Sequence, residues 1–252
     1  MLLRLDFDSI HIYREDATSY FRPEVIAIEL AKIFPQCQID IREDFFRHFG
    51  IASQRKASII DLAKISDVKQ PFERQPKNEL SDEGVALYDG FVLQQVLNQQ
   101  MDLERQIIHV HILLSGLLTC TFSEDDWRYH GRAVICGTPS IISAAGIVQG
   151  PARPREFYYP DGLRLAEIEK KKMNARFIDY GDERMTRAAV GYALQALFFF
   201  VADGDPFCDS PNCRLFNSHW QEDLIRTQVE KPSLCAEHLD MANKFNSSKV
   251  RR

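Results

Sequence analysis

The stretch from Arg187 to Met241 reads RAAVGYALQALFFFVADGDPFCDSPNCRLFNSHWQEDLIRTQVEKPSLCAEHLDM, and its reading decides the fold. It opens inside an apolar run, Arg184 to Ala202, too long for a strand, which predicts a helix buried under a sheet. Four metal-ligand residues follow: Cys208, Cys213, Cys235 and His238, spaced C-x4-C, then 21 residues, then C-x2-H. Two close pairs on tight turns, joined by one loop that closes once, suit a tetrahedral zinc ion. Four protein ligands leave no open coordination position, so such an ion stabilises a fold and does not activate water. The turn-rich Asp209, Ser210, Pro211 and Asn212 between the first two cysteines are a poor setting for inert buried thiols. Unrelated free cysteines or a redox pair are the competing readings. His219 ranks second as fourth ligand, because Asn217-Ser218-His219-Trp220 has the look of a helix start.

Working outward, the chain has 252 residues, 45% of them hydrophobic, and a formal net charge of -5. That is enough to bury a sizeable core in a single domain spanning 1–252. The expected division is a sheet-containing part at 1–182, a core helix with the zinc clip at 183–245, and a disordered tail at 247–252. Charges of both signs are interspersed, so no phosphate-tracking surface is expected and nucleic acid is not a predicted partner. The start, Met1-Leu2-Leu3-Arg4-Leu5-Asp6, lacks the apolar core of a signal peptide. No apolar run reaches bilayer-crossing length. The expectation is a cytoplasmic protein with reduced cysteines and no membrane partner.

Periodicity gives the elements. Leu2 to Phe7 alternates as a strand, Pro23 opens a helix that Pro35 ends, and Cys37 to Arg42 is a second strand, which together form a crossover unit. Ile51 to Ile65 and Val85 to Met101 follow as helices, separated by a polar loop from Ser66 to Glu83. Short strands are predicted at Ile107–Leu114, Leu117–Phe122, Ala133–Cys136 and Ile141–Ser143. The proline-rich Gly146 to Pro160 predicts an extended belt, and Asp161 to Met173 a charged helix. The fold class is therefore α/β (α+β), a mixed sheet with packed helices and a C-terminal zinc-clip subdomain.

With these pieces in order, the chain resembles the archaemetzincins, a family of small zincin-like metallopeptidases. Leu113-Leu114-Ser115-Gly116-Leu117 and Gly131-Arg132-Ala133-Val134-Ile135 look like that family's sheet segments. Cys208, Cys213 and Cys235 match its zinc clip, and His238 stands where the family has a last cysteine. The resemblance implies a single zincin-like domain with one structural Zn2+. It also implies a catalytic HExxHxxGxxH motif, and here the two part. Counted back from Cys208, the three histidines fall on Leu197, Val201 and Phe207 and the glutamate on Phe198; Gly204 alone corresponds. A zinc peptidase needs ligands that acidify a bound water and a carboxylate that takes its proton, and none of these side chains supplies either. The expectation is a divergent member that is not a peptidase by the usual mechanism, a pseudoenzyme that binds a peptide or protein partner.

Two alternatives remain open. His109 and His111, one residue apart in a strand, project from one sheet face and could anchor a relocated metal site, with His130 or Asp125 as a third ligand. A zinc-stabilised interaction module is the other, favoured by an apolar cleft beneath Leu197, Val201 and Phe207. His219 with Glu222, and the cationic-aromatic Arg153 to Tyr159, are weaker features; the first fits a helix start with Trp220 packed on the zinc loop, the second a strip wrapping its own domain.

Overall fold

A computed structural model describes residues 7–15, 20–65, 86–101, 109–158 and 175–250. Apart from Phe7, the strand expected at Leu2–Phe7 lies outside the described residues. The first described strand, β1, is Ser9–Tyr13, and Phe7 precedes it as a buried core residue. Pro23 at the first turn starts α1, Pro23–Ile33, whose Ile26 and Leu30, four apart, are buried. β2, Gln38–Arg42, then pairs parallel to β1, completing the crossover unit.

A short α2, Phe45–His48, is capped by the Asp44 carboxylate, and α3 spans Ser53–Asp61. The expected loop at Ser66–Glu83 lies outside the described residues. Val85 to Met101 is not one helix. β3, Leu87–Asp89, pairs with the chain beyond it, and Asp89 caps α4, Gly90–Asn98, by accepting from the Phe91 and Val92 amides at 3.0 Å. Apolar spacing carried the helix backwards across a cap that the Asp-Gly pair specifies.

The sheet strands follow as β4 His109–Ser115, β5 Leu118–Ser123, β6 Arg128–Arg132, β7 Val134–Ile135 and β8 Ser140–Ser143. Among the described residues, one sheet has the order β2-β1-β4-β8-β7, and a smaller one the order β3-β5-β6. The larger sheet is parallel except for β7, which runs antiparallel to β8 at its edge. Strand alternation splits the larger sheet's side chains. Ile10, Ile12, Val110, Ile112 and Leu114 pack with α1 in the main core, whereas Tyr13 and Leu113 join a second cluster with Phe45, Leu93 and Leu97.

The predicted belt begins as a helix instead: α5, Ala144–Gln149, is capped by Ser143 Oγ, which accepts from the Gly146 amide at 2.7 Å. Gly146 is there for close approach, since a Cβ on it would lie 2.0 Å from the Arg132 carbonyl oxygen. Between Pro151 and Pro154 the chain does run extended: Ala152 bridges to Trp220, and a 3-10 turn at Arg155–Tyr158 follows. The charged helix at Asp161–Met173 lies outside the described residues.

The apolar run forms α6, Met185–Val201, buried along nearly its whole circumference. Beyond it come α7, Gln221–Ile225, a π turn at Arg226–Glu230, and α8, Ala236–Val250. The expected disordered tail is thus helical to Val250. Phe245 packs on Phe7 and Phe34 with ring centres 4.6 and 5.5 Å apart, Asn246 donates to the Ile33 carbonyl, and Lys249 pairs with Asp8. The architecture is the mixed α/β arrangement of sheet and packed helices, and no described helix is long and apolar enough to cross a membrane.

Candidate metal centre and cleft

The segment from α6 to α8 brings Cys208, Cys213, Cys235 and His238 together, with one ligand atom from each within 4.8 Å of the others. Zinc bonds of about 2.3 Å to sulfur and about 2.0 Å to nitrogen, at tetrahedral angles, set ligand edges of roughly 3.5–3.8 Å. Here Cys208 Sγ–Cys235 Sγ and Cys213 Sγ–His238 Nδ1 are both 3.9 Å, and Cys235 Sγ–His238 Nδ1 is 3.1 Å. The surroundings suit thiolates as well. The Ser210 amide points at Cys208 Sγ at 3.4 Å, and the Leu215 and Cys235 amides at Cys213 Sγ at 3.5 Å. Such outer donors orient metal-ligating sulfur and disperse its charge. The donor set fits zinc.

The three thiols do not titrate alike. Burial pushes the Cys208 thiol up to about 12 and raises Cys213. Burial also acts upward on Cys235, but hydrogen bonds from the His238 amide and imidazole and from the neighbouring thiols outweigh it and hold Cys235 at about 7. A divalent cation at the centre would favour the thiolate form of all three. His238 is buried, its ring 5.4 Å from Phe198, so the clip is seated on α6. His219 is not part of it: its side chain is exposed and its carbonyl accepts from the Ala152 amide at 2.7 Å. Trp220 stands 39% exposed and bridges to Ala152. Glu222 pairs with Arg176 at 2.6 Å. Arg153 wraps inward, 4.4 and 4.6 Å above the Phe157 and Phe177 rings.

A cleft of about 920 Å3 lies between the β6–β7 edge, Gly150–Ala152 and α6. The positions aligned with the archaemetzincin motif do not all face it. Leu197 and Phe198 are fully buried and Val201 nearly so, in the main core, whereas Gly204 and Phe207 reach the cleft. The α6 residues that line it are Tyr192, Gln195 and Phe199, one helical stripe with no histidine, cysteine or acid. Of the three residues beneath which a cleft would favour an interaction module, Phe207 lines this one, whereas Leu197 and Val201 do not, and its α6 wall is a different stripe of the same helix. Gln195 is 2% exposed; its Nε2 lies 3.5 Å from the Phe216 carbonyl, and its Oε1 has no hydrogen-bond partner. Phe91, Phe207 and Trp220 stand exposed at the rim. His130, Asp125, Asp126 and His219 also border the cleft, but His130 bonds Asp126 at 3.0 Å, and among the described residues no three metal-ligand groups converge there.

His109 and His111 do share a face, and their expected third partner is neither His130 nor Asp125. It is His11 on β1, and one ligand atom from each of the three lies within 4.8 Å of the others. Parallel register sets His11 beside His111 on one side and Asp40 on the other. Sequence reasoning missed His11 because it passed over Ser9–Tyr13 as a strand; the Ser9-Ile-His-Ile-Tyr13 alternation, matching His109-Val-His-Ile-Leu113, was the available signal. His11 Nδ1 bonds the Asp40 carboxylate, and His11 Nε2 lies 2.9 Å from His109 Nδ1. Burial lowers the His11 pKa despite Asp40. Burial acts to raise Asp40, but hydrogen bonds from His11 and Arg42 outweigh it and hold the carboxyl below its ordinary value.

Residues 6–245 match the sequence family described as "Probable metallopeptidase family (DUF6775)". No curated protein matches. Among solved structures, the crystal structure of a zinc-dependent peptidase from Methanocorpusculum labreanum (strain Z) is similar, with a TM-score of 0.50 and 14% sequence identity, over 93% of this chain and 100% of that one. At that identity the likeness is one of fold.

Proposed function

This chain belongs to the probable metallopeptidase family, and from that premise we infer that it is an archaemetzincin-like member that binds extended polypeptide without cleaving it by metal-activated water. One observation carries the reading. The cleft of a peptidase-type fold is present, yet the α6 stripe that lines it is Tyr192, Gln195 and Phe199. Metal-assisted hydrolysis needs an ion held with an open position and a carboxylate base beside it. A glutamine between two aromatic rings provides instead a hydrogen-bond acceptor and apolar faces, which are the means of holding a peptide.

The rest of the molecule supports the same reading. Cys208, Cys213, Cys235 and His238 would hold a zinc ion with a full protein shell, whose chemistry is structural. Among the described residues β7 is the antiparallel edge of the larger sheet, and Val134, Ile135 and Cys136 border the cleft. A peptide laid along that edge would gain main-chain hydrogen bonds while its side chains meet Phe207 and Trp220.

The test is a pair of measurements on zinc-loaded full-length protein with a library of labelled unstructured peptides. Fluorescence anisotropy is expected to show saturable binding that weakens about tenfold in Phe207→Asp, which puts a charge on an apolar contact. Mass spectrometry of the same mixtures is expected to show the peptides intact. Zinc-dependent cleavage at a rate proportional to enzyme, or absence of binding across the library, would overturn the reading.

A further inference from the structure

We propose that His11, His109 and His111 form a second metal site, for a divalent ion of the zinc or cobalt type, on the sheet face opposite α6 and independent of the cysteine clip. The strands themselves assemble it. Odd-numbered residues of β1 and β4 share one face, and register puts His11 directly beside His111, with His109 one pleat along. Metal–nitrogen bonds of about 2.0–2.1 Å, at angles between square and tetrahedral, require nitrogen–nitrogen edges of roughly 2.9–3.4 Å. The His11 Nε2–His109 Nδ1 edge is 2.9 Å, and the third nitrogen lies within 4.8 Å of both, inside the reach of ring rotation.

The surrounding groups are those that orient metal-binding imidazoles. Asp40 accepts from His11 Nδ1, which turns His11 Nε2 towards His109, the carboxylate–histidine–metal arrangement. The Tyr13 hydroxyl lies 2.9 Å from His111 Nδ1, which directs the other ring nitrogen of His111 to the ion. His11 and His111 are almost wholly buried, so three rings are packed together where apolar side chains would ordinarily fill a sheet face. Neutral imidazoles select ions of intermediate softness over calcium or magnesium.

One neighbour opposes the ion. Arg42 Nη2 lies 3.3 Å from His11 Nε2, on the lone pair that a metal would take. Arg42 has other partners to hold it when displaced: Asp40 Oδ2 at 3.0 Å, the Tyr13 hydroxyl at 3.2 Å and His48 Nε2 at 2.9 Å. A guanidinium so placed weakens metal binding by charge repulsion, and removing it strengthens binding.

Cobalt titration of the metal-stripped full chain distinguishes the two sites by colour, because a thiolate-bound ion gives intense charge-transfer absorption and an imidazole-bound ion does not. The wild-type chain is expected to take two equivalents. His109→Gln should lose one and keep the charge-transfer band, Cys208→Ser should lose that band and keep the other equivalent, and Arg42→Met should tighten the band-less equivalent by about tenfold. One equivalent in the wild type, unchanged in His109→Gln and in Arg42→Met, would overturn the site and leave the histidines as a buried hydrogen-bond network. Because no peptide enters these measurements, their failure leaves the proposed function standing, and the converse holds.

Discussion

At the scale of single residues, the sequence announces the cysteines more clearly than the histidines. Cys208 and Cys213 advertise themselves by the turn residues between them, and Cys235 and His238 by their two-residue spacing. Cys208→Ser replaces a thiolate with a hydroxyl that zinc binds poorly, so metal content should fall to the clip-free level and stability by about 3 kcal/mol or more, read from urea denaturation. His219→Ala should leave both unchanged, since its side chain is exposed and is not among the four clustered ligands. If metal content followed His219 and ignored Cys208, the clip assignment would be lost. Gln195 carries a prediction of another kind. Its Oε1 lacks a partner, so Gln195→Leu should cost the free protein little, within about 1 kcal/mol, while weakening peptide binding if a peptide amide is its natural donor. A marked loss of stability with unaltered binding would make it a purely structural residue.

At the scale of elements, local chemistry set what periodicity alone misjudged. Asp89 and Ser143 each accept backbone hydrogen bonds that start a helix, one at a position read as mid-helix and the other at the last residue of a predicted strand. Both are cap residues by type, but a cap is recognised only when the residues before it are known to leave the helix. Two glycines separate conformational from steric demands. Gly146→Ala would place a methyl 2.0 Å from the Arg132 carbonyl oxygen and should cost about 3 kcal/mol, because backbone must move. Gly50, at φ +67° with nothing near its missing Cβ, should cost only about 1 kcal/mol as alanine, the left-handed penalty alone. Chemical denaturation of the two variants checks the order; equal costs would contradict the packing of α5 against β6.

At the scale of the whole molecule, the clip is continuous with the main core. Cys213 and Leu215 are fully buried in the cluster that holds Leu197 and Phe198 of α6, and α8 returns to pack Phe245 on Phe7. Chelation should therefore lower the melting temperature of the entire domain in one transition, seen together by circular dichroism and by tryptophan fluorescence from Trp127 and Trp220. A separate early transition confined to one probe would mean that the clip folds as an autonomous unit. The two candidate metal centres sit on opposite sides of the sheet, so removing one is expected to leave the other's affinity unaltered.

The sequence by itself determined the α1 crossover, the buried α6 and the clip, because each is written in neighbouring residues: a proline start, an unbroken apolar run, ligand pairs on turns. The absence of histidine and glutamate from α6 was equally legible. Only the tertiary structure decided which stripe of α6 faces the cleft, since a helix that is apolar all round carries no moment to orient it. It alone also joined His11 to His109 and His111, which are 98 and 100 residues away. Parallel pairing aligns strands through a crossover whose register no local pattern encodes, and passing over Ser9–Tyr13 as a strand hides every side chain that pairing brings together.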